Sequence, residues 1–386
     1  MSGLGATFWI SLGLVAYPYA GYVAALWLMS RFTRPLCEQI PTCQDAQLPR
    51  VTLIISAYNE DKVIGEKIRN ALSLDYPTER LEIVVVSDGS TDRTCEVVWQ
   101  LAHQGVVLRH YDGRIGKTAC LNHAVPLAAG DIVVFSDANS SYEKRALKEL
   151  VRPFQRSDVG FVTGWTQYSS SGEATADSLG LYSRLELATK ELESRLGSCI
   201  GADGAIFAIR KELYRPLHDY DINDFVIPLS INERGYRGVL QRKAICLEKD
   251  AGGIDGEFRR QVRIASRTIR ALMNHRRLFN PFKFGLIAFE LLSHKMCRFL
   301  VPLFMAALFL SNLFLVARAG FFMMMLIAQV SFYVAAGVAS LVPKGTLTAR
   351  MAELARTVVV MNAAMVLAWV KYLQRETYTT WSPTKR

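Results

Sequence analysis

Val51-Thr52-Leu53-Ile54-Ile55-Ser56, followed at once by Ala57-Tyr58-Asn59-Glu60, is a continuous, largely apolar run without the alternation of a half-exposed strand. A strand of that kind is covered on both faces, as in a parallel sheet flanked by helices. Helical periodicity then occupies residues 61–72, and the pattern repeats. Residues 81–87 form a second buried strand that ends in Asp88-Gly89-Ser90-Thr91-Asp92, with a helix predicted over 94–103. Strands at 106–110 and 132–136 flank a helix at 117–129, and the fourth strand ends in Asp137-Ala138-Asn139. Strands alternating with helices predict a doubly wound α/β sheet. Its polar motifs follow the carboxyl ends of strands one, two and four, the edge at which such sheets bind ligands.

On either side of this domain the composition changes. The chain has 386 residues, 51 % of them hydrophobic, and a net charge of +10. Residues 1–30 carry no charge, and the apolar run 8–29 is followed, not preceded, by Arg31 and Arg34. That order predicts an uncleaved membrane anchor over 1–34, with the N-terminus outside and the next domain, 48–256, in the cytoplasm. Uncharged runs return at 299–317 and 319–343, while the last, between Arg356 and Lys371, has only 14 residues. The region 299–375 is therefore expected to hold membrane helices, the last of which spans only if its charged ends snorkel. Charge bias leaves the side of the basic tail, 376–386, open.

Nearly all of the charge excess lies in one place. Residues 259–298 contain ten Lys or Arg against the single acid Glu290. Arg259, Arg263, Arg267 and Arg270 recur at helical spacing opposite Val262, Ala265, Ile269 and Leu272. This predicts amphipathic interface helices over 257–298, their cationic face on an anionic membrane surface. Beside apolar spans, that placement argues for membrane lipids as the partner and against nucleic acid. The seven cysteines lack CxxC or zinc-knuckle spacing and read as reduced core residues. Residues 169–172 read as a flexible loop.

The sequence has no GxGxxG and no P-loop, which removes the main support for dinucleotide and NTPase readings. An Asp directly after a strand, as at Asp88, can accept hydrogen bonds from a ribose or a base. Asp137 and Asn139 place two oxygen donors just past a strand, a pattern able to hold a hard divalent cation and, through it, a diphosphate.

Tyr58-Asn59-Glu60, Asp88-Gly89-Ser90-Thr91-Asp92, Gly116-Lys117 and Ser136-Asp137-Ala138-Asn139, in this order, resemble the nucleotide-sugar domain of membrane-integrated family-2 glycosyltransferases. That group includes cellulose, hyaluronan, chitin and poly-N-acetylglucosamine synthases, and the likeness covers roughly residues 48–270. The resemblance implies a GT-A type α/β domain with a mixed, mostly parallel sheet, joined to an α-helical transmembrane region. It implies that Tyr58, Glu60, Asp88, Lys117 and Asp137 contact the nucleotide sugar, and that Asp137 with Asn139 holds Mg²⁺ or Mn²⁺. The second carboxylate of the family's DxD is the amide Asn139 here. The loop Gly201-Ala202-Asp203-Gly204-Ala205 would face the acceptor, through Asp203 and Gly204. Ile222-Asn223-Asp224 stands where the family has Thr-Glu-Asp, which makes Asp224 the general base; a helix cap is the alternative. Arg260-Gln261-Val262-Arg263-Ile264 aligns with the QxxRW box, so Arg260 and Arg263 would meet the diphosphate, and the tryptophan is missing.

These parts describe inverting transfer of a sugar from a UDP donor, forming a β-linkage. The expected product is a membrane-synthesised polysaccharide, an exopolysaccharide, made at the cell's inner membrane. Three C-terminal segments make a small pore, so further copies or a secretion partner would complete a channel. Transfer of one sugar to a lipid is the alternative within the enzyme class. A non-catalytic nucleotide-binding scaffold is the alternative outside it.

Overall fold

The computed structural model describes residues 3–33, 48–169, 174–249, 254–343 and 345–379. The loop expected at 169–172, the tail beyond residue 379, Cys37 and Cys43 lie wholly or largely outside them. Helices α1 (Gly3–Ala16) and α2 (Tyr22–Ser30) are joined by a π turn into one apolar rod, Gly3–Ser30. The α/β domain follows: β1 (Val51–Ala57), α3 (Ile64–Leu72), β2 (Leu81–Asp88), α4 (Thr94–Gln100), β3 (Val106–Tyr111), α5 (Lys117–Ala124) and β4 (Ile132–Asp137). Next come β5 (Ser140–Tyr142), α6 (Ala146–Val151), β6 (Val159–Ser169), α7 (Ala174–Leu196), β7 (Phe207–Arg210), α8 (Asn223–Glu233) and β8 (Arg237–Lys249).

The eight strands form one sheet in the order β3-β2-β1-β4-β7-β6-β8-β5. The half β3-β2-β1-β4 is parallel throughout, and β7 pairs antiparallel with both β4 and β6. All seven residues of β1 are buried, as its unbroken apolar run requires. Two apolar layers cover the sheet's two faces. Leu53, Ile55 and Val85 pack with α3 and α6 on one side, while Ile54, Val86 and Phe135 pack with α5 and α8 on the other. Each expected helix is shorter than its apolar pattern: α5 ends at Ala124, where Pro126 turns the chain into a short 3-10 segment.

Beyond the sheet, α9 (Ile254–Asn274) leads to α10 (Pro281–Glu290), α11 (Cys297–Leu315), α12 (Gly320–Val338) and α13 (Leu347–Leu373). Four stretches are long and apolar enough to cross a membrane: Gly3–Ser30, Pro281–Leu315, Gly320–Leu341 and Leu347–Leu373. The first of the C-terminal stretches thus begins at Pro281, ahead of the uncharged run read from the sequence. The last is a 27-residue helix that carries Arg350, Glu353 and Arg356 within its length.

Part of the cationic stripe of α9 is engaged by the protein itself, while Arg259 and Arg260 stay exposed. Arg267 turns into the α/β domain, donating from Nε to Tyr220 O (3.0 Å) and from Nη2 to Thr118 Oγ1 (3.2 Å) and Asp221 O. Arg270 donates to Glu376 O (2.7 Å). Preformed carbonyls replace the water a guanidinium loses on burial, so the charge is stable facing the protein. The apolar side of α9 packs against α13, where Ser266 Oγ lies 3.5 Å from Ala368 O.

Candidate active site

The loop after β1 is bonded to the loop after β2. Asn59 takes a left-handed conformation (φ 52°), and its Oδ1 accepts from Thr91 N (2.8 Å). The backbone N–H groups of Asn59 and Glu60 donate to Ser90 Oγ (3.1 Å) and Thr94 Oγ1 (2.8 Å). Tyr58 lies under the guanidinium of Arg114, 3.8 Å from the ring centroid, which joins this pair of loops to the one before α5.

Asp88, at the end of β2, is buried, and its Oδ1 accepts from Gly116 N (2.8 Å). Gly116 has φ +94°, and a Cβ there would stand 2.5 Å from Thr379 O, so only glycine fits this turn. Asp88 Oδ2 is buried with no hydrogen-bond partner among the described residues. An unsatisfied buried acceptor costs about 1–3 kcal/mol, which a ligand hydroxyl or N–H would recover.

Lys117, the first residue of α5, donates from Nζ to Asp137 Oδ1 at 2.5 Å across the ends of β4 and α5. Asn139 lies two residues on, in the turn into β5. Among the described residues no cluster of three His, Cys, Asp or Glu side chains forms a ready-made metal cage. The Asp137 side chain is 38 % exposed. A half-exposed carboxylate with one oxygen on Lys117, two residues before an amide side chain, suits Mg²⁺ or Mn²⁺, hard ions that take one or two protein ligands and complete their shell with substrate phosphate and water. The donor set therefore fits the ion.

Asp224 is in the first turn of α8, whose N-cap is Ile222, so its carboxylate does not serve as the cap. Its backbone O accepts from Ala202 N (2.8 Å), which brings the loop 201–205 against it. A Cβ on Gly204 would lie 2.6 Å from Asp224 Oδ2. Burial pushes the Asp224 carboxyl above the usual range; Lys117 and Arg267 pull it down, and Asp137 and Asp203 push it further up. A carboxylate so placed is a stronger base than one in water. Asp203 is committed to its own loop: Oδ2 accepts from Thr166 N and Oδ1 from Ala205 N, both at 3.1 Å.

Of the expected residues, the structure thus brings Asp88, Lys117, Asp137, Gly204 and Asp224 to one edge of the sheet. On α9, Arg263 is partly buried and Arg260 exposed. Burial and the neighbouring Arg260 push the Arg263 guanidinium down, and Tyr378 opposes them. Arg267 reaches deepest, one turn beyond Arg263, and sequence reading took it only as part of a cationic stripe. Its spacing of four from Arg263 was the available signal. The approach of residues 376–379 to Gly116 and Arg270 had no counterpart in the sequence.

Comparison with known proteins bears on the family and the fold. The profile described as "Glycosyltransferase like family 2" matches residues 49–271. A beta-monoglucosyldiacylglycerol synthase of Nostoc sp. is 34 % identical over 119 residues, 30 % of this chain and 25 % of that protein. A poly-beta-1,6-N-acetyl-D-glucosamine synthase of Staphylococcus aureus is 24 % identical over 270 residues, 65 % of this chain and 64 % of that one. The chain thus spans about a quarter of the first relative and under two thirds of the second. The solved mannosyltransferase PcManGT of Pyrobaculum calidifontis, in complex with GDP-Man and Mn²⁺, shares the fold. It has a TM-score of 0.70 at 23 % identity and covers 96 % of this chain and 99 % of its own. With more than half of its length matched by the family profile, this chain belongs to glycosyltransferase family 2 and is a glycosyltransferase with a GT-A-like fold.

Proposed function

We propose that the protein transfers a hexose from a UDP-sugar, with inversion, to a growing polysaccharide at the inner membrane. The observation that carries this reading is the position of Asp224. One carboxylate touches the loop holding Gly204 and Asp203 and also feels the charges of Lys117 and Asp137. A base between an acceptor loop and a donor-side cation is what displacement at an anomeric carbon needs.

On this reading Asp88 accepts from the nucleoside through its unpartnered oxygen, with Tyr58 and Glu60 completing that side. Asp137 and Asn139 would hold Mg²⁺ or Mn²⁺, which would offset charge developing on the leaving diphosphate. Lys117 and Arg263 add fixed positive charge there, with Arg260 at the rim. Asp224 takes the proton from the acceptor hydroxyl as its oxygen attacks, opposite the leaving group, giving a β-linkage from an α-linked donor. Asp203 holds the acceptor loop in place. Arg267 fixes the segment before Asp224 through the carbonyls of Tyr220 and Asp221.

The four apolar stretches support a multi-pass arrangement, and Arg31 after the first supports a cytoplasmic α/β domain (48–256). The extent of the likeness to the N-acetylglucosamine polymer synthase favours a polysaccharide product, completed by further copies or a secretion partner. The 34 % identity to glucolipid synthases supports a second reading, a single transfer to a lipid.

Purified full-length protein with labelled UDP-sugars, with and without Mn²⁺, separates these readings. A large, water-soluble, Mn²⁺-dependent product is expected. A chloroform-soluble product bearing one sugar establishes the second reading. Nucleotide binding without turnover of any donor contradicts both.

A further inference from the structure

Away from the active site, a cavity of about 1270 Å³ lies between α2 and the α/β domain. Its wall on one side is apolar and belongs to the membrane rod: Ala20, Val23, Ala24 and Trp27. Facing it, Leu192 of α7 and Leu240 and Ile245 of β8 continue the apolar lining. The charged lining is unbalanced, with Arg152, Arg195, Arg242 and Lys243 against Glu191.

Two of those cations are there because the sheet is interrupted. Pairing of β6 with β8 jumps from Thr163↔Leu240 to Trp165↔Ile245, so residues 241–244 stand opposite Gly164 as a bulge, with Gln241 and Ala244 buried and Arg242 and Lys243 exposed. Bulges re-aim side chains, and this one supplies Arg242 and Lys243 to the cavity. Arg242 is bridged at 3.5 Å by Glu191, the only acid in the described lining. Arg195 is held at the cytoplasmic end of the rod by donating from Nε (2.7 Å) and Nη2 (2.5 Å) to Thr33 O. Trp165 lines the same space, and its Nε1 is buried with no partner among the described residues.

The rod is fixed against the domain, so the gap does not close by collapse. Tyr22 Oη donates to Glu193 Oε1 (2.9 Å), and His294 Nδ1 lies 2.7 Å from the same oxygen. These contacts leave the cavity beside a rigid joint.

We propose that the cavity binds one anionic glycerophospholipid of the surrounding leaflet. Its acyl chain lies along Ala20, Val23 and Ala24, its phosphate meets Arg242 and Lys243, and the Trp165 N–H donates to an ester or phosphate oxygen. Three features select this ligand. Guanidinium and ammonium groups recognise phosphate oxygens. The excess positive charge favours an anionic over a zwitterionic headgroup. A Trp with an apolar body and an unpaired N–H suits the boundary between acyl chain and headgroup. The inference rests on the reading that Gly3–Ser30 spans the bilayer.

The test uses full-length protein in lipid nanodiscs made from equimolar phosphatidylcholine and phosphatidylglycerol. After extraction into mild detergent, native mass spectrometry counts the lipid retained. Wild type should keep one phosphatidylglycerol per chain in preference to phosphatidylcholine. Arg242→Ala/Lys243→Ala should lower that retention about ten-fold or more, since two cations are lost. Trp165→Phe, which removes only the N–H, should lower it several-fold. Arg276→Ala/Arg277→Ala, which removes two cations elsewhere on the basic region, should leave it unchanged. Equal retention of both lipids, or equal loss in the two double variants, overturns the proposal. Displacement of the lipid by inorganic phosphate also overturns it, because the site would then be a simple anion site. Failure of the chain to enter nanodiscs would overturn the spanning reading as well, whereas entry without selective retention overturns only the lipid site.

Discussion

Gly204 and Asp224 are placed so closely that a single added methyl would stand 2.6 Å from the carboxylate Oδ2. The atom met is the end of a side chain, which can swing aside at little cost in stability. The catalytic cost is different, because a displacement of about 1 Å in a reacting group can remove two decades of rate. Gly204→Ala is therefore expected to lower kcat at least about ten-fold. Its melting temperature should stay within about 2 °C of wild type. Steady-state UDP release and a thermal melt on the same preparation check both.

Arg267 joins three pieces, and a shorter cation cannot do so. Its guanidinium donates to Tyr220 O, Asp221 O and Thr118 Oγ1, and burial pushes its pKa down to about 10 against the opposing charge of Asp224. Arg267→Lys keeps the charge but loses the fork that spans these acceptors. We expect a loss of about 2 kcal/mol in unfolding free energy, in line with hydrogen bonds to a charged group. Turnover should fall while donor KM changes little. Denaturant titration and kinetics test the split.

The acid limb of the pH profile should report Asp224. Burial raises its pKa and Lys117 lowers it, so kcat is expected to rise through a midpoint above the ordinary carboxylate range of about 4. Removing the lowering charge moves that midpoint further up. Lys117→Met should therefore shift the acid limb of kcat to higher pH at saturating donor, and a downward shift would contradict the electrostatic assignment.

Lys67 gives a stability test away from the reaction. It is buried over the Tyr142 ring, 3.9 Å from its centroid, and burial pushes its pKa down to about 8. The unfolded chain would bind this proton up to about pH 10.4, so between the two values the unfolded state holds more protons. Stability from this group therefore rises with pH through that window. Lys67→Met removes the dependence. The melting-temperature difference, variant minus wild type, should fall as pH passes from 7 to above 8.

Much of this was legible from residue patterns. The covered run in β1 and its repeats at β2 and β4 follow from hydrophobicity alone, because parallel strands bury both faces. Asp88 and Asp137 were visible because each stands directly after a buried strand, whereas Asp224 was reached only through the family resemblance of Ile222-Asn223-Asp224. The destination of the α9 arginines was not visible. Helical spacing shows that Arg263, Arg267 and Arg270 share a face, but a cationic face suits lipid phosphates and protein carbonyls equally. For Arg267 it is the loop at Tyr220 and Asp221, distant in sequence, that supplies the acceptors. The β8 bulge was hidden for the same reason, since it exists only relative to its partner strand.

The central claim is that Asp224 is the base of a glycosyl transfer, and one comparison tests it most directly. UDP release and equilibrium donor binding should be measured on wild type and Asp224→Asn in the same detergent. The account predicts turnover reduced by about two to four decades with donor affinity unchanged. Because burial makes the ionised carboxyl costly, the variant should melt no lower than wild type near neutral pH. Turnover near the wild-type rate in Asp224→Asn would contradict the account.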